Sequence, residues 1–406
     1  MAATIKYGDT KWAVKDGNTL GYNDENSFKP VPFDFTRNSI GTRVDRNGLI
    51  ETIGNNIPRI DFTDNTDGHL LLEPQSTNSL TYSEDFSNTY WNPNDISVES
   101  NAATSPNGAT NAFKITITDV TPYLGNLNIS LIVGNTYTLS CFVNKGTNRW
   151  VRLASVSSAS TGAWFDLDNG VVGTVNSTSA TIEDYGDGWY RITNTLTSIS
   201  GSNDVFLGLS GVDGSTSGSS VIGNNVFAWG FQVEALSYPT SYIPTNGSTV
   251  TRASETCTNA GNSTLINSTE GVLYAEISSF KNGGIGDRTI SISDGSTQNA
   301  IQLFLHNTAN RINFRLRSGG SLDVNISDFT FEQNQINKIA CKYKSGDYAL
   351  WINGEERATS TNSSLPSGLS VLAFDDGSLY EFYGKVKAVT VYNTALTDAE
   401  LTELTS

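Results

Sequence analysis

The chain has 406 residues, with 41 Asp and Glu against 25 Lys and Arg and a formal net charge of −16. That charge is repelled by nucleic acid and by anionic membrane surfaces, which excludes both as default partners. Only 16% of the residues are charged while 37 are Gly, so long helices are excluded and many short strands joined by tight turns are expected.

Residues 1–30 open with MAATIKYGDTKWAVKDG, which lacks the apolar stretch of a secretory leader. No later run of about 18 apolar residues exists to insert into a membrane. With little periodic apolar material, 1–30 is expected to be an extended attachment arm, anchored by Trp12 and Val14 and contacting something other than its own chain's sandwiches. Residues 31–78 carry short strand-like pieces broken by Asn47-Gly48, Gly54-Asn55 and Asp67-Gly68. Val44–Ile50 reads as a hairpin with a type I′ turn at Asn-Gly, in an extended segment packing on the next domain.

From 79 to 250, strand signals such as NTYTLSCFVN, NRWVRLASV, GAWFDLD and NNVFAWGFQVEAL recur every ten to fifteen residues. Short strands at even spacing without intervening helices predict an antiparallel β-sandwich or jelly roll. Alternation assigns Val151, Leu153, Phe165, Leu167, Tyr190, Ile192, Phe227 and Phe231 to its core. Residues 251–269 read as a linker. A second strand series begins at EGVLYAEI and fills 270–406 with another sandwich. Thr397-Asp398-Ala399-Glu400 forms a capping box that starts a short C-terminal helix. The fold class is therefore all-β: two antiparallel sandwiches in tandem after an N-terminal arm.

The three cysteines show no C-x-x-C spacing. Cys141 and Cys341 alternate with apolar residues and turn inward, whereas Cys257 lies in the polar connector as an unremarkable thiol. His69 and His306 are the only histidines, and no G-x-S-x-G, Walker loop or H-E-x-x-H is present. A sandwich glycosidase needs two carboxylates about 5–9 Å apart over a cleft. Asp166 and Asp168 alternate suitably, but such a pair after a strand is more often a turn cap or calcium ligand. No catalytic residue is assigned.

Three strands repeat Trp-x-charged on the side opposite their apolar face: Trp150 with Arg152, Trp164 with Asp166, and Trp189 with Arg191. Flat aromatic rings flanked by charge suit sugars, since C–H groups stack on the ring and hydroxyls take charge-assisted bonds. The competing reading buries these rings under a loop, under 31–78, or under a sister subunit, with the arginines paired to Asp166. Asp287, Asp294, Asp375 and Asp376 are candidate calcium ligands, with solvated turn acids as the alternative.

Three stretches resemble known families. EGVLYAEI, the hairpin NKIACKYKSGDYALWINGEER and GKVKAVTVYNTALTDAELTEL, within Gly271–Leu404, resemble laminin-G-like, concanavalin A-like lectin sandwiches. DLDNGVVGTV, IEDYGDGWYRI and FAWGFQVEALSYPTSYIPT are similar to carbohydrate-binding-module-like jelly rolls of phage virion proteins. TRNSIGTRVDRNGLIE and IPRIDF, between Phe33 and Ser79, look like the segment that precedes that jelly roll in phage head-fibre and tail-fibre proteins. The chain departs from family-16-type glucanases in lacking their acidic catalytic strand. The resemblance implies a bacteriophage virion fibre or spike protein, made in the host cytoplasm and oligomeric. Its arm would bind other virion proteins, and the chain would adhere to bacterial surface polysaccharide. The alternatives are a purely structural decoration or adaptor protein, and a polysaccharide-degrading accessory enzyme.

Overall fold

In strands, alternating apolar and polar residues turn one face inward, and this periodicity builds the whole molecule. The computed structural model describes residues 2–8, 12, 14–15, 19–24, 27–156, 160–216, 219–377 and 379–406. They form antiparallel sheets and one short helix, an all-β fold. Two compact units arise, one from 41–52 and 75–252, the other from 1–40, 53–74 and 253–406.

The first unit is a sandwich of two six-stranded sheets. One sheet runs in the order Asn92–Asn94, Tyr123–Ser130, Ser202–Ser210, Trp150–Val156, Ser160–Asp166 and Val171–Val175. The other runs Ile96–Thr104, Thr110–Ile117, Asn225–Glu234, Thr136–Lys145, Trp189–Thr197 and Ser179–Asp184. Val151, Leu153, Phe165, Leu167, Ile192 and Phe231 are buried between them as expected, with Cys141 beside Leu139 and Val143, and Tyr190 packs at the edge of this core.

Phe227 does not join them; it packs in a second apolar cluster with Phe142, Trp189, Trp229 and Tyr242. The cause is a register shift opposite Ser140 and Phe142, where Gly230 takes φ 65°. A bulge inserts one residue and swaps the faces, so Val226 and Ala228 point inward before it and Phe231 after it. A Cβ at Gly230 would sit 3.0 Å from Phe142 Cδ2, which adds a steric reason for glycine there.

The Gly41–Val44 and Ile50–Ile53 hairpin forms, but its turn is not type I′. Gly48 takes φ 81° while Asn47 does not turn left-handed, and Asp45 Oδ1 accepts from the amides of Asn47 and Leu49. An acidic residue ahead of Asn-Gly thus converts the loop to a type I turn closed by a left-handed glycine. Val44 and Ile50 join the cluster around Trp229.

In the second unit an eight-stranded sheet faces the five-stranded sheet Ser321–Asp328, Ile312–Ser318, Ala300–Leu305, Arg288–Ser293 and Val371–Ala373. Ile339, Cys341 and Tyr343 lie in the core between them. The N-terminal residues depart from the expected free arm. Ile5–Gly8 pairs with Gly384–Tyr392, and Ile5 and Tyr7 are buried in this unit's core, where Trp12 also packs. Two alternating apolar residues are too few to read as a strand, yet the open edge of Gly384–Tyr392 supplies the hydrogen bonds they need. The side chain of Val14 lies outside the described residues.

Residues 31–78 are not one segment laid on the following domain. Asp34–Thr36 pairs with Thr256–Thr258, and Arg59–Asp61 and His69–Leu72 extend the large sheet beyond Gly384–Tyr392. Buried charge anchors this arrangement. Arg59 Nη2 donates to Glu73 Oε2 at 2.8 Å and Glu255 Oε2 at 2.6 Å, and Arg37 Nη1 donates to Glu255 Oε1 at 2.7 Å. Burying these ions requires such complete pairing. The expected linker 251–269 is built in as well: Cys257, Ala260 and Ile266 are core residues, and burial pushes the Cys257 thiol far up. At the C-terminus Thr397 caps helix Asp398–Thr405 with the reciprocal Glu400 bond, and Leu401 is buried.

Candidate functional site

The six residues expected to form one sugar-binding face are divided between opposite sheets. Trp189 and Arg191 lie on the strand Trp189–Thr197, whose outer face is covered. Trp189 Nε1 donates to Thr104 O at 3.0 Å, and Arg191 Nη2 donates to Thr240 O at 2.8 Å with its guanidinium 5.4 Å from the Phe142 ring. These two are packing anchors.

On the other sheet, Asp166 pairs with Arg149, and with neither Arg152 nor Arg191. Arg149 Nε and Nη2 reach Oδ1 and Oδ2 at 2.9 and 2.5 Å, while Asn169 and the Asp168 amide also donate. The Arg149 bond, with those of Asn169 and Asp168, holds the Asp166 carboxyl far below the usual range. Its acceptor capacity is taken by a turn. Trp164 is 1% exposed and donates Nε1 to Ser215 O at 2.9 Å. Trp150 is half-buried with Arg149 5.4 Å over its ring.

Arg152 lines a cavity. Its guanidinium lies 4.7 Å from the Trp164 ring and 5.0 Å from the Phe206 ring, and burial pushes its pKa down to about 10. The cavity is a trough of about 450 Å³ on the outer face of this sheet. Its floor follows from register: Tyr123 opposes Gly208, which opposes Arg152, and Gly125 opposes Phe206. The two glycines make room for the half-buried rings of Tyr123 and Phe206, which pack against each other with centroids 5.5 Å apart at 47°. Asp204, Ser215 and Thr216 complete the polar wall. An aromatic pair, a guanidinium and hydroxyls around a groove of this size can take a sugar ring by stacking and hydrogen bonding.

Tyr123, Asp204 and Phe206 of the trough lie outside the Trp-x-charged pattern of the sequence. The signal existed: in DVFLGLS, Val205, Leu207 and Leu209 alternate inward, which leaves Phe206 and Gly208 on the other face.

Three of the four calcium candidates, Asp294, Asp375 and Asp376, serve local backbone turns, and Asp287 accepts from a distant amide. Asp287 Oδ1 accepts from the Asn307 amide at 2.6 Å, Asp375 Oδ1 from the Gly377 amide at 2.8 Å, and Asp376 Oδ1 from the Leu379 amide at 2.9 Å. Asp294 accepts from Ser296 and Asn299, and these bonds outweigh burial and hold it below the usual carboxylate range. Among the described residues, no three or more His, Cys, Asp or Glu side chains gather as a metal site.

Residues 280–402 match a family model described as the concanavalin A-like lectin/glucanases superfamily. The CBM40 of Ruminococcus gnavus IT-sialidase bound to α2,3 sialyllactose is similar over 37% of this chain and 94% of its own, with 19% identity and a TM-score of 0.31. The leech intramolecular trans-sialidase is similar over 34% of this chain and 23% of its own, with 21% identity and a TM-score of 0.29. Domains LG4–5 of the mouse laminin α1 chain are similar over 68% of this chain and 90% of theirs, with 11% identity and a TM-score of 0.23. No curated protein matches the chain.

Proposed function

We propose that this chain is a glycan-adhesion protein of a bacteriophage virion, a fibre or spike subunit that holds bacterial surface polysaccharide. The observation that carries adhesion is the trough lined by Tyr123 and Phe206, with Arg152 in its wall. The concanavalin A-like match over 280–402 supports a lectin-type role. The virion assignment rests on the resemblance of Phe33–Ser79 and the following jelly roll to phage fibre proteins, and it implies an oligomer assembled in the host cytoplasm.

A glycan array of bacterial polysaccharides, read for the parent and for Phe206→Ala, tests adhesion. Removing one stacking ring, at about 0.5–1.5 kcal/mol beyond its area, lowers affinity about tenfold. Absence of any bound glycan, or unchanged binding by the variant, would sink the trough as the adhesion site. Mass spectrometry of purified particles tests the virion assignment, and a chain missing from them defeats it.

One observation favours a structural decoration or adaptor role instead. Ile132, Val133 and Ile199 are 67, 59 and 50% exposed on two loops joined by the Gly134 amide to Ser198 O bond. Such an apolar knob suits contact with another protein.

A further inference from the structure

In the second unit, strand Ile312–Ser318 and the residue before it carry Arg311, Arg315 and Arg317, spaced by apolar Ile312, Phe314 and Leu316. The apolar residues enter the core, so the arginines stand on the outer face of the five-stranded sheet. Register sets Arg315 between Gln302 on one side and Asn325 on the other. Next to that row, Phe304 opposes Asn313, whose Nδ2 donates to Asn325 Oδ1 at 2.8 Å and Ser327 Oγ at 2.7 Å.

Aromatic rings hold the cations in place. The Arg315 guanidinium lies 3.3 Å from the Phe304 ring centroid, and Tyr380 meets Phe304 edge-on at 5.7 Å. Arg311 lies 5.2 Å from the ring of Phe329, which is 64% exposed. Arg317 donates Nη1 to Gly320 O at 3.4 Å. Among the described residues, none of the three arginines has a carboxylate within ion-pair distance, and Nε of Arg311 and Arg315 reaches no hydrogen-bond partner. Burial, together with Arg317 and Arg311 nearby, lowers the Arg315 pKa against the opposing pull of Asp287.

A chain with 41 acidic side chains could neutralise three adjacent cations many times over. It leaves them together on an aromatic, amide-rich surface, where their mutual repulsion persists until an anion arrives. We propose that this face is a second binding site, for a polyanionic glycan whose carboxylate or sulfate groups engage Arg311, Arg315 and Arg317 while its rings rest on Tyr380 and Phe329. Guanidinium forks match both oxyanions, and they retain charge at every physiological pH. The inference lies beyond the Tyr123–Phe206 trough and holds whether or not that trough binds sugar.

The test measures binding of the full chain to polygalacturonate, dextran sulfate and uncharged dextran by calorimetry. Expected is binding to one or both polyanions and none to dextran, weakening at least tenfold between about 50 and about 500 mM NaCl. The two polyanions separate the sources: binding to polygalacturonate alone assigns carboxylate, to dextran sulfate alone sulfate, and either supports the site. Arg315→Gln/Arg317→Gln should lose at least tenfold, and Lys344→Gln on the other sheet should lose nothing. If the double variant does not fold, Arg317→Gln carries the test, with an expected loss of about fivefold. Binding to neither polyanion, equal binding to dextran, or full retention by the arginine variants overturns the proposal.

Discussion

Trp164 decides between recognition and packing, and the structure makes it packing. The side chain is 1% exposed, its Nε1 is bonded to Ser215 O, and one face carries Arg152 at 4.7 Å. Trp164→Ala removes roughly 200 Å² of buried surface, which at about 25 cal/mol per Å² sets an upper bound near 5 kcal/mol. Allowing for partial collapse and one lost hydrogen bond of about 1 kcal/mol, the expected cost is about 4 kcal/mol. Trp150→Ala, at a half-buried ring, should cost about 1–2 kcal/mol. Urea denaturation followed by tryptophan fluorescence suits this comparison. Trp91, Trp150, Trp164, Trp189 and Trp229 all belong to the unit of 41–52 and 75–252 and dominate the signal. The Ser215 bond adds a second readout, because losing it frees a wall of the trough, so glycan affinity should fall together with stability. A loss below about 1 kcal/mol for Trp164→Ala, or one equal to that of Trp150→Ala, would refute the assignment of Trp164 to packing.

Two further expectations concern Arg59 and His69 of the other unit. Arg59→Met strands Glu73, leaves Glu255 with Arg37 alone, and should cost about 3–5 kcal/mol, whereas Arg43→Met, at a part-exposed pair with Glu51, should cost below about 1 kcal/mol in chemical denaturation. Burial pushes His69 down to about 4, against the opposing pull of Asp61, so it folds neutral and must take up a proton on unfolding in acid. Its contribution is full above the unfolded value near 6.5 and is lost as pH falls from there toward 4, an upper bound of about 3 kcal/mol. Melting curves of the parent and His69→Gln across that window should differ in slope, and identical slopes would remove His69 from the acid response.

The strand series, the C-terminal capping box and most of the two cores were legible because alternation is a local property. Leu139, Cys141 and Val143 needed only their own neighbours to be placed. What alternation cannot carry is phase across a bulge, and Gly230 moved Phe227 to the opposite face for that reason. Nor does it say which sheet receives a strand. Trp164 and Trp189 share a local pattern, yet the topology puts them on opposite sheets, and only one of those outer faces holds the trough. Cys257 and the expected arm around Ile5 depart from the pattern for a related cause: three- and four-residue strands bury side chains through partners far along the chain, and nothing in TCT or IKYG names those partners.

The arginines show how net charge hides local function. Arg37, Arg59, Arg252 and Arg288 are at most 1% exposed, and the bonds of the first two within one buried network account for their presence. Arg149 is tied to Asp166 and Asp168, and Arg43 to Glu51. These arginines have structural partners that explain them in a chain so acidic. Among the described residues Arg311, Arg315 and Arg317 have no such ion-pair partners, and they sit on one face on and just before the strand Ile312–Ser318. Long-range attraction to a polyanion is not the reason, since a net charge of −16 opposes approach. Binding there must come from short-range, bidentate and stacking contacts, strong enough to overcome the repulsion of the whole chain. That requirement predicts selectivity for spaced anionic groups on a ring-bearing polymer over free anions, and makes inorganic sulfate a weak competitor at this face.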